Sequence, residues 1–76
     1  MARSLDPRKA LSVALLQRGI TYREAADEAG VSLGHLHGIA RGPRWPSPKM
    51  ALTIEAAFGV PAASWGTARL AAERRA

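Results

Sequence analysis

Cysteine is absent from the 76-residue chain, which excludes disulfide bonds and thiolate metal sites. Aromatic residues are scarce, with two tryptophans, one tyrosine and one phenylalanine. Because strands favour aromatic and β-branched residues, this scarcity disfavours a sheet. No apolar run approaches the roughly 20 residues that a membrane-spanning helix needs, and no apolar stretch near Met1 suits a signal peptide. We therefore expect a cytoplasmic protein.

What the chain does have is alanine and positive charge. Hydrophobic residues make up 47% of the sequence, and their richness in alanine favours helices. The length suits one compact domain. Eleven lysines and arginines against six acidic residues give a net charge of +5. That charge suits DNA, RNA or an anionic membrane surface as a partner, or serves solubility alone.

Capping residues and glycines divide the chain into short helices. Helix starts are signalled by Asp6-Pro7, Thr21, Ser32, Ser47-Pro48 and Pro61, and helix ends by Gly19, Gly30, Gly42 and Gly59. A cap side chain accepts hydrogen bonds from free amides at a helix start, and glycine tolerates the positive φ that follows a last turn. The sequence therefore predicts an all-α fold, a compact bundle of five short helices. Helices 2 and 3 would form a helix-turn-helix.

Apolar spacing predicts how these helices pack. Ala25, Ala26 and Ala29 are small, so a neighbouring helix can approach the second helix closely. Val31, Leu36 and Ile39 would hold the third helix against the second, so that the two move as one unit. In the first helix, Leu11, Ala14, Leu15 and Arg18 share one face, whereas Val13 and Leu16 lie on another and predict a second packing partner.

The stretch from Thr21 to Gly42 resembles the helix-turn-helix of the lambda-repressor/Cro-type family, also called the Xre family. The resemblance continues through Pro46-Ser47 and the segment Ala57-Phe-Gly-Val-Pro61. It implies a five-helix DNA-binding domain whose third helix lies in the major groove. The chain departs from the family at Ala40, where Glu is common, and at Glu55, where a small apolar residue is usual. The resulting division is a basic N-terminal arm over 1–6, the domain over 7–65 and a charged, potentially helical tail over 66–76.

The helical period separates a buried side of the third helix from the side we call the reading face. A step of about 100° per residue places Leu36 and Ile39 together on the buried side. The reading face then consists of Leu33, Gly34, His37, Gly38 and Arg41. Of these, Leu33, Gly34, His37 and Gly38 are predicted to face bases, and Arg41 a phosphate. His37 can donate to guanine acceptors or to a phosphate, and Leu33 can touch a thymine methyl group.

The two glycines on the reading face have two interpretations. Gly34 and Gly38 each cost about 1 kcal/mol of helix stability relative to alanine. Either they let the helix backbone approach the groove closely, or they are neutral features of a weakly selective reader.

Other polar residues are predicted to contact the DNA backbone. The predicted phosphate contacts are Tyr22, Arg23, Ser32, His35, Arg41, Arg44 and Lys49. A basic arm would add Arg3, Arg8 and Lys9. The acidic side chains of the second helix, Glu24, Asp27 and Glu28, should point away from DNA because phosphates repel them.

Metal binding and catalysis are not expected. His35 and His37 point in nearly opposite directions on a helix, and no third ligand lies nearby in the sequence. No nucleophile, base and orienting acid can be assembled. We therefore predict no enzyme activity, no cofactor and no small-molecule ligand.

These observations predict a sequence-specific transcription regulator, in particular a repressor such as a phage immunity repressor or a Cro-like protein, with double-stranded DNA as its partner. An antitoxin or adaptor module that mainly binds another protein is the alternative. Trp65 and the C-terminal helix would form a homodimer contact, or Trp65 would cover the core of a monomer. Trp45 would cap the core or lean on a sugar-phosphate strand, and the core position is favoured.

Overall fold

Five α-helices joined by short turns make up residues 6–75, the part of the chain that the computed structural model describes. The helices are α1 (Pro7–Arg18), α2 (Tyr22–Ala29), α3 (Leu33–Arg41), α4 (Pro48–Phe58) and α5 (Ala62–Arg75). The predicted all-α fold is confirmed. Residues 66–75, predicted as a tail, continue α5. Among the described residues no helix is long and apolar enough to cross a membrane.

The first four helices begin at the predicted caps. The cap side chains of Asp6, Thr21, Ser32 and Ser47 all accept hydrogen bonds from backbone amides in the first turn. At α2 the capping box is complete, because the Glu24 carboxylate accepts from the Thr21 amide at 2.9 Å and the Thr21 hydroxyl from the Glu24 amide at 3.1 Å. Each such cap stabilises its helix by about 1 kcal/mol.

The turn between α2 and α3 depends on Gly30. Its φ of 75° lies in the left-handed region, and its amide donates to carbonyls of the last turn of α2. Residues with a Cβ rarely adopt this conformation. The turn brings α3 back across α2 at the small side chains of Ala25 and Ala26, both of which are buried.

The core lies where the five helices meet. Its largest fully buried side chains include Leu11, Leu36, Ile39 and Ile54. Because α3 packs against both α1 and α2, the orientation of α3 is fixed from two sides. Val31 packs against the edge of this core, as predicted.

One expectation from the sequence is wrong, and the structure decides between the two positions that were expected for Trp65. Val13 is 40% exposed and Leu16 is 80% exposed, so the second packing partner predicted for them is not found within residues 6–75. Trp65 is only 3% exposed and belongs to the core of its own chain. Of the two positions that the sequence left open for Trp65, a dimer contact or the core, the structure has the core position. Trp45 is half-buried and packs against the core.

Candidate nucleic-acid interface

The exposed side of α3 agrees with the side predicted from the helical period. Leu36, Ile39 and the neighbouring Ala40 are buried, whereas Gly34, His37 and Arg41 on the reading face are exposed. Leu33 is half-buried at the start of the helix. One side of α3 is therefore packed into the core, and the other side is a surface that a ligand can reach.

An open hollow lies between the start of α2 and the first turns of α3. It is lined by Thr21, Tyr22, Arg23, Leu33, Gly34 and His37, so the structure joins three residues of the reading face to two predicted phosphate contacts. The partial positive charges at the N-termini of two helices and the exposed Arg23 make this region favourable for an anion.

Tyr22 and His37 form a pair across the two helices. Their ring centroids are 5.2 Å apart with an interplanar angle of 75°, an edge-to-face arrangement. The Tyr22 hydroxyl shares a hydrogen bond of 3.1 Å with the Ser12 hydroxyl of α1. The sequence predicted only a phosphate contact for Tyr22 and did not identify Ser12. In the structure Tyr22 packs against the His37 imidazole, and Ser12 bonds to Tyr22.

The two glycines of the reading face have different surroundings. A Cβ on Gly34 would meet nothing within 4 Å. A Cβ on Gly38 would lie 2.8 Å from Cδ of Arg44, because the Arg44 side chain runs across this position. Gly34 is thus open to a ligand, whereas Gly38 is covered by a side chain from the following loop.

Arg8 and Lys9, predicted as parts of a basic arm, both lie in the first turn of α1. Arg8 Nη1 donates to the carbonyls of Ile39 and Arg44, each at 2.7 Å. The Lys9 side chain is exposed. Arg3 lies outside the described residues, as does most of the predicted arm.

The remaining predicted backbone contacts lie around α3. Arg23, Arg41 and Lys49 are exposed, and His35 is half-buried. The Ser32 hydroxyl accepts from the His35 amide at 3.1 Å as the cap of α3.

Two of the three acidic residues of α2, Glu24 and Glu28, have partners within the chain. Glu28 forms an ion pair of 3.0 Å with Arg18 of α1, and Glu24 belongs to the capping box. Asp27 is exposed. Within the part of the chain that the structure describes, no cluster of three or more His, Cys, Asp or Glu side chains is placed to hold a metal ion.

The α3 helix packs across the capped helix α2 through small residues, and its other side is exposed. This is the arrangement of a helix-turn-helix DNA-binding domain. The helix-turn-helix family model HTH_3 matches residues 11–65. Because this match covers most of the chain, the protein belongs to that family, the Xre or lambda-repressor type of helix-turn-helix regulator. No curated protein and no solved structure matches the chain.

The open surroundings of Gly34 lead to a first prediction. Gly34→Ala should raise the free energy of unfolding by up to about 1 kcal/mol, because alanine is the better helix former. The same variant should weaken DNA binding if the α3 backbone approaches the groove at Gly34. Chemical denaturation and a DNA titration measure the two effects.

Gly66→Ala in α5 is the matched control. Gly66 is also exposed, and a Cβ there would meet nothing within 4 Å. It should therefore give the same stabilisation with unchanged DNA affinity. Unchanged or tighter DNA binding by Gly34→Ala would refute close approach at this glycine.

Proposed function

We propose that the protein is a sequence-specific repressor of a bacterium or its phage that inserts α3 into the major groove of double-stranded DNA. It would act in the cytoplasm, where bacterial DNA is accessible. The observation that carries this proposal is the exposed reading face of α3, which continues into the hollow beside Tyr22 and Arg23. A helix presented in this way fits the width of the major groove.

The reading face divides into base-reading and close-approach positions. His37 donates to guanine acceptors, and Leu33 contacts a thymine methyl group. Gly34 allows the helix backbone close to the groove. Arg41, at the far end of α3, meets a phosphate, and its positive charge also suits a helix C-terminus.

Residues outside the reading face hold the domain on the phosphate backbone. Arg23 and Tyr22 at the start of α2 contact one strand, and Arg44 and Lys49 before and within α4 contact the DNA on the other side of α3. These contacts supply affinity and orientation but little sequence information. With so few side chains reading bases, DNA shape contributes to selectivity.

Selection of bound duplexes from random DNA, followed by salt titration, tests DNA recognition. We expect a small set of related sequences to be enriched. Their log affinity should fall linearly with log salt, with a slope of about −0.9 per phosphate contacted. No enrichment together with a flat salt response would refute the proposal. A reporter gene carrying the selected site should be transcribed less in the presence of the protein, and unchanged or increased transcription would refute repression.

A second candidate function is supported by an apolar groove between α4 and α5. Its lining includes Trp45, Pro48, Leu52 and Ala62, and Leu52 is 60% exposed. Such a surface suits a protein partner, either a second copy of the chain or the toxin of an antitoxin pair. A homodimer would use exposed residues such as Leu52 and Leu70, and would bind half-sites about 34 Å apart. Tight binding to a co-purified protein with a flat salt response on DNA would favour the adaptor function.

A further inference from the structure

We propose that Arg8 of α1 is a positioning residue for DNA recognition. It fixes the end of α3 and the following loop, so that the Arg44 side chain lies across Gly38 and is presented to DNA beside the reading face. This inference rests on the proposed function. It also gives Gly38 a different role from Gly34. The absence of a side chain at Gly38 leaves the space that the Arg44 side chain occupies, so Gly38 is not a point of close DNA approach.

The first observation is the set of partners of the Arg8 guanidinium. Its Nη1 donates to the carbonyls of Ile39 and Arg44, both at 2.7 Å, and lies 3.5 Å from the Gly38 carbonyl. Its central carbon lies 4.3 Å from the centroid of the Trp45 ring. One side chain of α1 thus binds the last turn of α3 and the loop that leads to α4.

These contacts satisfy groups that α3 cannot satisfy itself. The last four carbonyls of a helix have no partner within that helix, and Ile39 belongs to the last turn of α3. A positive charge at a helix C-terminus is also electrostatically favourable. The Arg8 guanidinium therefore supplies donors to carbonyls at the end of α3 and in the following loop.

The second observation is that the Arg44 side chain runs along Gly38. Its amide donates to the Gly38 carbonyl at 3.2 Å. A Cβ on Gly38 would lie 2.8 Å from Cδ, 3.2 Å from Cγ and 3.3 Å from Nε of Arg44. The Arg44 side chain thus takes the place that a side chain at position 38 would occupy, and it supplies a cation to a part of the reading face that the sequence alone leaves bare.

Arginine is required at position 8 for a physical reason. Its planar guanidinium stacks on an aromatic ring while its nitrogens donate hydrogen bonds, whereas lysine ends in a compact ammonium group that cannot stack as a plane and lies nearer the backbone. Arg8→Lys therefore keeps the charge of the protein but loses the stack on Trp45 and the simultaneous reach to both carbonyls. This variant separates positioning from charge.

The decisive experiment compares Arg8→Lys, Arg44→Ala and the double variant on the selected duplex between 50 and 200 mM salt. We expect Arg8→Lys to lower the magnitude of the log–log salt slope by about 0.9, the value of one phosphate contact, although no charge is removed. Arg44→Ala should lower it equally. The double variant should lose no more than Arg44→Ala alone, because Arg8 acts through Arg44.

Arg74→Met is the matched control, since it removes an exposed positive charge from α5, away from the reading face, and should leave the slope unchanged. Far-UV circular dichroism at the assay temperature verifies that every variant is folded. Full DNA affinity and slope in a folded Arg8→Lys would overturn the inference. If the losses of the two single variants add up in the double variant, the inference is also overturned, because Arg8 then acts independently of Arg44.

Gly38→Ala tests whether Arg44 needs the space at Gly38. This test remains possible even if Arg8→Lys does not fold, because alanine favours the helix and Gly38→Ala should fold. It should reduce the salt slope as Arg44→Ala does, and it should have no further effect in an Arg44→Ala background. Gly66→Ala should leave DNA binding unchanged. Wild-type DNA affinity of Gly38→Ala, or a further loss of affinity in the Arg44→Ala background, would refute the claim that Arg44 needs the space at Gly38.

DNA binding by the unaltered protein distinguishes a failure of the proposed function from a failure of this inference. If the unaltered protein shows no salt-dependent binding, the proposed function and this inference fall together. If it binds as expected and the Arg8 and Gly38 variants bind equally well, only the inference falls.

Discussion

Replacing Leu36 by alanine is expected to lower the free energy of unfolding by about 2–5 kcal/mol, the cost of removing a large buried side chain and leaving a cavity. Leu36 lies in α3 and is completely buried. Total stabilities of small domains are only about 5–15 kcal/mol, so this single change removes a large fraction. Chemical denaturation followed by circular dichroism measures it.

Leu52→Ala provides a matched control with the same chemical change. Leu52 lies in α4 and is 60% exposed, so its truncation should alter stability by no more than about 0.5 kcal/mol. Similar losses in the two variants would contradict the packing described here.

The Leu36 prediction matters for function because α3 cannot be stable alone. Its nine residues are fewer than the 12–15 or so that an isolated helix needs to be even marginally stable in water. The shape of the reading face therefore comes from burial of the opposite side of the same helix. DNA binding by Leu36→Ala should be lost in parallel with its folded fraction as temperature rises.

Helix boundaries could be predicted from the sequence because the signals are local. A cap such as Ser32 acts on an amide three residues away, and a terminal glycine such as Gly30 binds carbonyls of the preceding turn. The residues of the reading face could be predicted for the same reason, since the helical period fixes which residues lie opposite Leu36. These features need no knowledge of how distant parts of the chain meet.

The features that were missed depend on contacts between distant residues. Arg8 binds carbonyls 31 and 36 positions along the chain, and nothing near Arg8 in the sequence distinguishes it from a surface arginine. The choice between the two positions expected for Trp65, dimer contact or core, depends equally on tertiary packing. For Gly38, the sequence shows the missing side chain, but only the path of the loop shows that Arg44 fills the space.

The prediction with the second largest expected effect concerns His37. Its imidazole is exposed on the reading face and is packed edge-to-face against Tyr22, whose hydroxyl is bonded to Ser12 of α1. This support restricts the orientation of the ring before DNA arrives, so less conformational entropy is lost on binding. His37→Ala should relax the preference at one base position and cost about 1–3 kcal/mol on the preferred site.

Repeated site selection and titration of duplexes that differ at single bases measure this loss. His35→Ala is the control, because it removes an imidazole two residues away that is half-buried beside the packed side of α3. It should weaken all sites alike, as expected for a phosphate contact, and leave the base preferences unchanged. If His37→Ala instead weakens every site equally, His37 contacts the backbone, and base reading must come from Leu33 and from the shape of the DNA.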